Sequence, residues 1–322
     1  MPRHRLARIV LVLAVAGALP APGSAPATAS VAGTSCRVFP RDNVWHLNVS
    51  HLPVHAKNRM WKRAMHAGTT NLHPDFGPPS YGIPYVTVGA DHPKVAVGFT
   101  YASESDPGPY PFGPNTPIEG GSDRHAIMID RSDCTLYELY AARWNGGDPK
   151  AGSGAVFHLE GSNADRLRPA GWTSADAAGL PIFAGLLRYD EVQAGLVDHA
   201  IRVTAGCTHD AYIWPARHEA GTSDRRCPPM GARFRLRASF DVSRFGAKVR
   251  VVLKAMKRYG LIVADNGSDW YFQGTVDPRW TYRFVDQLKR IPASAFVAVD
   301  EHACRVSRGS AAFAYGPGCP AP

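Results

Sequence analysis

Between Tyr85 and Glu160, apolar residues alternate with polar or small ones in short runs broken by Gly, Pro, Asn and Asp: "PYVTVGA", "KVAVGFTYAS", "HAIMID", "CTLYELYAA" and "AVFHLE". A period of two punctuated by turn residues predicts antiparallel strands. The pattern returns at "HAIRVTA", "DAYIWPA" and "ARFRLRASFDV". In the last of these Phe234, Leu236, Ala238 and Phe240 make one face and Arg233, Arg235 and Arg237 the other, which reads as a solvated sheet face, with an anion-binding track as the alternative. The period lengthens to that of a helix in "AKVRVVLKAMKRYG", where Val249, Val252, Leu253 and Met256 fall at i, i+3, i+4 and i+7 and Gly260 stands at the stop. Shorter helices are predicted at "YDEVQAGLV" and "TYRFVDQLKRI". "LIVAD" reads as a buried strand that turns through "NGSD" into a return strand, "WYFQG", and "AFVAVD" as a last strand. Many strands, two or three helices and no βαβ rhythm predict a mainly β fold, an antiparallel β-sandwich of jelly-roll or concanavalin-like type with peripheral helices.

The beginning of the chain is of another kind. "MPRHRLAR" is basic, "IVLVLAVAGAL" is apolar, and a small-residue stretch ends in Ala27, Thr28 and Ala29. This is the pattern of a secretory signal peptide cleaved after Ala29. The apolar run is about half of what a bilayer span requires. Cleavage leaves 293 of the 322 residues, read as one mature β-rich domain over 30–322, and no later segment is apolar enough to span a membrane. The expectation is a secreted, extracellular protein.

Secretion changes the meaning of the six cysteines. An even number in an oxidising compartment points to three disulfides, for which 15 pairings exist. Short loops favour Cys207 with Cys227 and Cys304 with Cys319, the second pair tying down a C-terminal tail, which leaves Cys36 for Cys134. Zinc is the rival use, but no C-x-x-C spacing occurs. His46, His51 and His55 have metal-like spacings without helix signals or nearby acids, and no metal is expected there. The chain carries +9, of which the leader's three arginines supply three. A mature charge of +6 suits acidic glycans, cell walls or nucleic acid without choosing among them.

Candidate chemistry begins with absences: there is no G-x-S-x-G, H-E-x-x-H, G-x-x-x-x-G-K or G-x-G-x-x-G. The hairpin "RHAIMIDRSDCTLYELYAA" is more informative. With Ser132 and Asp133 as its loop, Ile129 faces Leu136, Ile127 faces Glu138 and His125 faces Tyr140, so His125, Glu138 and Tyr140 share a face as an acid and base set. A one-residue slip would separate them. The loop "YASESDPGPYPFGPNTPIEGGS", Tyr101 to Ser122, has a length usually reserved for function. In "DNGSDWY", Asp265 and Asp269 stand beside Trp270 and Tyr271. Turn chemistry accounts for part of this run, a sugar-site rim for the carboxylates against aromatic rings, and a calcium loop is a weaker use because the spacing fits no EF-hand. "YIWPARH" adds Trp214, Arg217 and His218, and "GWTSAD" adds Trp172 and Asp176. Each alone fits packing; together they furnish a groove with stacking surfaces and a cation.

The runs "DRHAIMIDRSDCTLYELYAA", "GSGAVFHLEGSNADRLRPAGWTSADAAGLPIFAGLLRYDEV", "YIWPARH", "PPMGARFRLRASFD" and "KRYGLIVADNGSDWYFQG" cover most of the mature chain. They resemble a group of secreted bacterial proteins of uncharacterised activity. That resemblance implies one secreted β-rich domain and carries no catalytic residue. From the residues themselves the expectation is a glycoside hydrolase acting on a polysaccharide or cell-wall glycan without a cofactor. Glu138 with Asp265 or Asp269 would be acid and base, and Trp172, Trp214, Trp270 and Tyr271 sugar platforms. The alternatives are a polysaccharide lyase, with His125 and Tyr140 moving protons and Arg217 neutralising a uronate, and a non-catalytic glycan-binding protein. A nucleic-acid partner is not expected.

Overall fold

The computed structural model describes Met1 and residues 30–322. The signal peptide expected over residues 1–29 lies, Met1 apart, outside the described residues. No described helix is long and apolar enough to cross a membrane.

Ten strands build the two main sheets: β1 (His73–Asp75), β2 (Tyr85–Val88), β3 (Ala126–Asp130), β4 (Thr135–Tyr140), β5 (Ser153–His158), β6 (Ile201–Ala205), β7 (Arg233–Leu236), β8 (Leu261–Asn266), β9 (Tyr271–Gln273) and β10 (Phe296–Val299). Among the described residues five α-helices accompany them: α1 (Asn58–Ala64), α2 (Ile182–Gly185), α3 (Tyr189–Ala194), α4 (Ala247–Arg258) and α5 (Tyr282–Leu288). The fold is sheet-rich, as expected. The wholly antiparallel pairing expected of a jelly roll or concanavalin-like sandwich is replaced by mixed pairing. A six-stranded sheet runs β1-β9-β6-β8-β7-β10 with β1 parallel to β9 and β6 parallel to β8. A four-stranded sheet runs β2-β3-β4-β5 with β2 parallel to β3 and the rest antiparallel.

Pairing of β6 with β8 has a visible cause. Every residue of β6 is buried, as are Leu261 to Ala264 of β8, and strands covered on both faces lose the alternation that marks a half-wet strand. α4 forms where its period predicts, buries Val249, Val252, Leu253 and Met256, and packs on β7. Gly260 follows it at φ +75°, where a Cβ would lie 2.5 Å from the Phe234 carbonyl oxygen. The chain can therefore turn straight from α4 into β8 only with glycine at this position.

Two expectations are corrected here. β8 and β9 do not form a hairpin: β6 lies between them and pairs with both. "NGSD" instead crosses the end of β6, where Thr204 Oγ1 donates to the Ser268 carbonyl at 2.6 Å and Trp270 N–H donates to the Thr204 carbonyl at 3.2 Å. Of the arginine stripe Arg233, Arg235 and Arg237, the two within β7 are drawn inward, and only Arg237, just past the strand, is exposed as a solvated face requires. Arg233 is 1 % exposed and ion-paired to Glu301 at 2.6 Å, and Arg235 is half-buried and donates to the Leu52 carbonyl.

The three disulfides are Cys36–Cys134, Cys207–Cys227 and Cys304–Cys319, the pairing that loop length favours. The β3–β4 register is also as expected, with Ile129 opposite Leu136 and Ile127 opposite Glu138. Its surroundings are not. Ile127, Ile129 and Leu136, which share the Glu138 face, enter the main core, while Met128, Tyr137 and Leu139 on the other face pack with Tyr110 and Phe112 from the long Pro/Gly-rich loop. With both faces covered, neither one is left for solvent.

Candidate functional site

The site is built on a single irregularity in β8. Its register against β6 slips by one residue between Val263 and Asp265, so Ala264 is extra and Asp265 falls opposite Thr204. Paired residues of neighbouring strands point the same way, and Arg202 and Thr204 share a face by alternation. The bulge thus turns Asp265 toward Arg202, whose Nη2 lies 3.3 Å from Asp265 Oδ2. The displaced Ala264 carbonyl accepts a hydrogen bond from Ala178 N–H at 2.9 Å, which draws in the turn carrying Asp176. Arg202 Nε and Nη2 donate to Asp176 Oδ2 and Oδ1 at 3.1 and 2.7 Å. One guanidinium therefore holds two carboxyls, and they differ in access: the Asp176 side chain is 0 % exposed and that of Asp265 23 %.

Behind this pair lies a second buried set. His125 Nδ1 is 2.5 Å from Glu119 Oε2, and its Nε2 is 3.2 Å from the Ala175 carbonyl oxygen. Both ring nitrogens face acceptors, so the ring is best satisfied with both protons. Burial alone would lower its pKa, but the Glu119 carboxylate outweighs burial and raises it. Glu138 is 0 % exposed and accepts hydrogen bonds from Ile182 and Phe183 N–H at 2.9 and 2.8 Å. Four carboxyls, Glu119, Glu138, Asp176 and Asp265, thus face two cations, Arg202 and His125. Such an imbalance in a poorly solvated place is relieved by keeping protons on acids. Burial pushes Glu138 up to about 7 against the pull of its two N–H donors. Burial and the neighbouring Asp176 push Asp265 up to about 7 against the pull of Arg202 and His125.

Asp265 opens onto a cleft of about 450 Å³ lined also by Tyr101, Glu104, Asp123, Tyr140 and His218. Glu104 Oε2 accepts from Thr173 N–H at 3.2 Å and lies 3.6 Å from His218 Nε2. The cleft is therefore lined both by a carboxyl whose pKa is pushed up to about 7 and by one fixed by a backbone donor.

Of the residues picked from the sequence, Asp265, Tyr140 and His218 meet at this cleft. His125 is close behind it, its ring 6.0 Å from that of Tyr140, but only 3 % exposed. The pairing of Glu138 with Asp265 across a substrate is corrected, because the buried Glu138 reaches no solvent. Asp269 also stands apart, held by His66 Nδ1 and Gly206 N–H at 2.7 Å each. As sugar platforms Trp270 and Trp214 are corrected too. Trp270 is fully buried and donates to the Met65 carbonyl at 2.7 Å, and Trp214 is 6 % exposed and donates to the Ser310 carbonyl. Trp172 lies under the Arg168 guanidinium at 5.5 Å and lines a different depression. Tyr271 stacks on His73 at 4.0 Å. Arg217 donates to the Arg168 and Arg308 carbonyls. His46 uses both ring nitrogens on the Asp198 and Val38 carbonyls, a structural role.

Sequence reasoning passed over Glu104, Asp123, Glu119 and Arg202. A signal existed for Arg202, the one charge inside the apolar run "IRVTA". Tyr101, Glu104 and Glu119 belong to the loop whose length had marked it. No protein-family model, curated protein or solved structure shows significant similarity to the chain.

Two expected results follow. Asp265→Asn should gain stability relative to the unaltered chain as pH rises. An acid raised in the fold contributes stability fully present below its unfolded pKa, about 3.8, and loses it as pH passes about 7. Urea unfolding at pH 5 and pH 8 should show the difference changing by at most about 1.4 kcal/mol per pH unit, and a flat difference would exclude a raised Asp265. Trp270→Phe should lower unfolding free energy by about 1–2 kcal/mol, since it orphans the Met65 carbonyl and underfills the core. Glycan affinity should stay unchanged in that variant; a loss of affinity without a loss of stability would return Trp270 to the ligand surface.

Proposed function

We propose that the protein is a secreted carbohydrate-active hydrolase that cleaves a glycosidic bond in the cleft between Asp265 and Glu104, with Asp265 as general acid. The observation that carries this reading is the Asp265 carboxyl, held up to about 7 by burial and Asp176 while opening onto a cleft of about 450 Å³. Glycoside hydrolysis needs one carboxyl that delivers a proton to the leaving oxygen and a second that acts on the sugar or on water. A pair of acids in environments of different polarity supplies both. Glu104, anchored by Thr173 N–H, takes the second role. Tyr101 and Tyr140 offer ring faces and hydroxyls for the sugar.

The lyase reading lacks its cation, because Arg217 is engaged with two backbone carbonyls and Arg202 is committed to Asp176. The test is release of reducing ends, with absorbance for unsaturated products, from a panel of neutral and acidic polysaccharides. Reducing ends without unsaturation support hydrolysis, and unsaturated products would move the reading to a lyase. Saturable retention on a glycan with no turnover would make the cleft a binding site.

A further inference from the structure

On another part of the surface, α1 carries Arg59, Lys62 and Arg63, with Lys57 just before it, and no acid. Arg59 and Arg63 are one helical turn apart and so share a face. Both line a groove of about 950 Å³ whose other wall comes from the loop closed by Cys207–Cys227, with Asp224 and Arg226. The groove's one carboxylate is already engaged: Arg226 Nε and Nη2 donate to Asp224 at 2.7 to 3.0 Å. Neither Arg59 nor Arg63 has a side-chain hydrogen bond or ion pair among the described residues, and both are exposed. The groove thus presents two free guanidinium groups on its helical wall, facing a wall braced by a disulfide. Lys62 and Arg237 add to the same field, since each is near enough for Arg237 to lower the pKa of Lys62, after burial.

We propose that this groove is a docking surface for an acidic polysaccharide, a glycan polymer with repeated carboxylate or phosphodiester groups, that holds the protein on a charged matrix. Charge complementarity argues for a polyanion, and guanidinium forks match both anions bidentately. The lining argues for a glycan over a single-stranded nucleic acid, which needs open aromatic faces for its bases. The one ring in the groove, His55, is already stacked on Trp61 at 4.2 Å. This surface is separate from the Asp265 cleft and does not depend on its chemistry.

Binding of the mature chain to immobilised polygalacturonate and to a phosphodiester-bearing mannan tests it, over a salt series. Retention should weaken with salt, and Arg59→Ala with Arg63→Ala should reduce affinity by about tenfold or more at low salt. Arg59→Lys with Arg63→Lys should keep most of it. Arg244→Ala with Arg283→Ala, which removes the same charge from another basic depression, should change affinity by less than about twofold. Thermal midpoints close to that of the unaltered chain confirm that each variant folds: Arg59 and Arg63 have no side-chain partners among the described residues, and Arg244 gives up only exposed contacts over the Phe240 and Phe245 rings. Retention on one probe alone keeps the proposal and names the anion. No retention on either, an equal loss in the Arg244 and Arg283 variant, or equal affinity for single-stranded DNA would overturn it.

Discussion

Asp265→Asn is expected to lower kcat on the cleaved polysaccharide by about a hundred- to ten-thousand-fold, the usual contribution of a positioned proton donor. The fold should survive, because asparagine keeps an oxygen for the Asn266 N–H that now donates to Asp265 Oδ1 at 2.8 Å, and Arg202 keeps both contacts to Asp176. In the unaltered chain, activity should fall as pH rises through about 7, where Asp265 surrenders the proton it must deliver. A kcat/KM profile that reports this limb, and its disappearance in the variant's residual activity, would tie the proton to that carboxyl. Glu104→Gln should also lose turnover while leaving the limb near pH 7 in place, since the acid is untouched. Full activity in Asp265→Asn would sink the assignment at once.

The sequence showed local features well and long-range coverage poorly. The β3–β4 register was legible because turn residues and alternating side chains fix it within a short stretch. What covers the hairpin was not: Glu138 is polar and sits at a strand position that a half-wet sheet would expose. It is buried by the Ile182 and Phe183 segment, which also provides the N–H groups that make its burial tolerable. The β8–β9 hairpin failed for a related reason. "NGSD" has the chemistry of a tight turn, and nothing local reveals that β6 inserts between the flanking strands. Asp265 was legible as a candidate because "DNGSDWY" sets carboxylates against aromatic rings, although Trp270 itself proves to be core. Its reason for being there, the bulge at Ala264, goes with one long-range hydrogen bond from Ala178 N–H that no spacing encodes.

Arg202→Met should be the most damaging single change in the site, at about 3–5 kcal/mol of unfolding free energy at pH 7 in urea titration. The side chain is 2 % exposed, and methionine fills most of its length without its charge. The damage comes from what remains: Asp176, with no exposure, keeps its place and loses the guanidinium that now donates to it twice. Burial already raises the Asp176 pKa against the pull of Arg202, and without that pull it must rise further, so the deficit should shrink toward pH 5, where the stranded carboxyl can take up a proton, and grow toward pH 8. Arg202→Met with Asp176→Asn should recover much of the loss, since a buried charge without a partner costs more than the ion pair contributes. Strict additivity of the two changes would show instead that Arg202 acts by packing alone. The cycle also separates structure from function. Arg202 pulls the pKa of Asp265 down and Asp176 pushes it up more strongly, so the descending limb of activity should move to higher pH in Arg202→Met and return to its original place or below it in the double variant, where the fold is restored. A limb at one and the same pH in the unaltered chain, in Arg202→Met and in the double variant would mean that Asp265 does not titrate under the influence of these two neighbours, and that the acid lies elsewhere in the cleft.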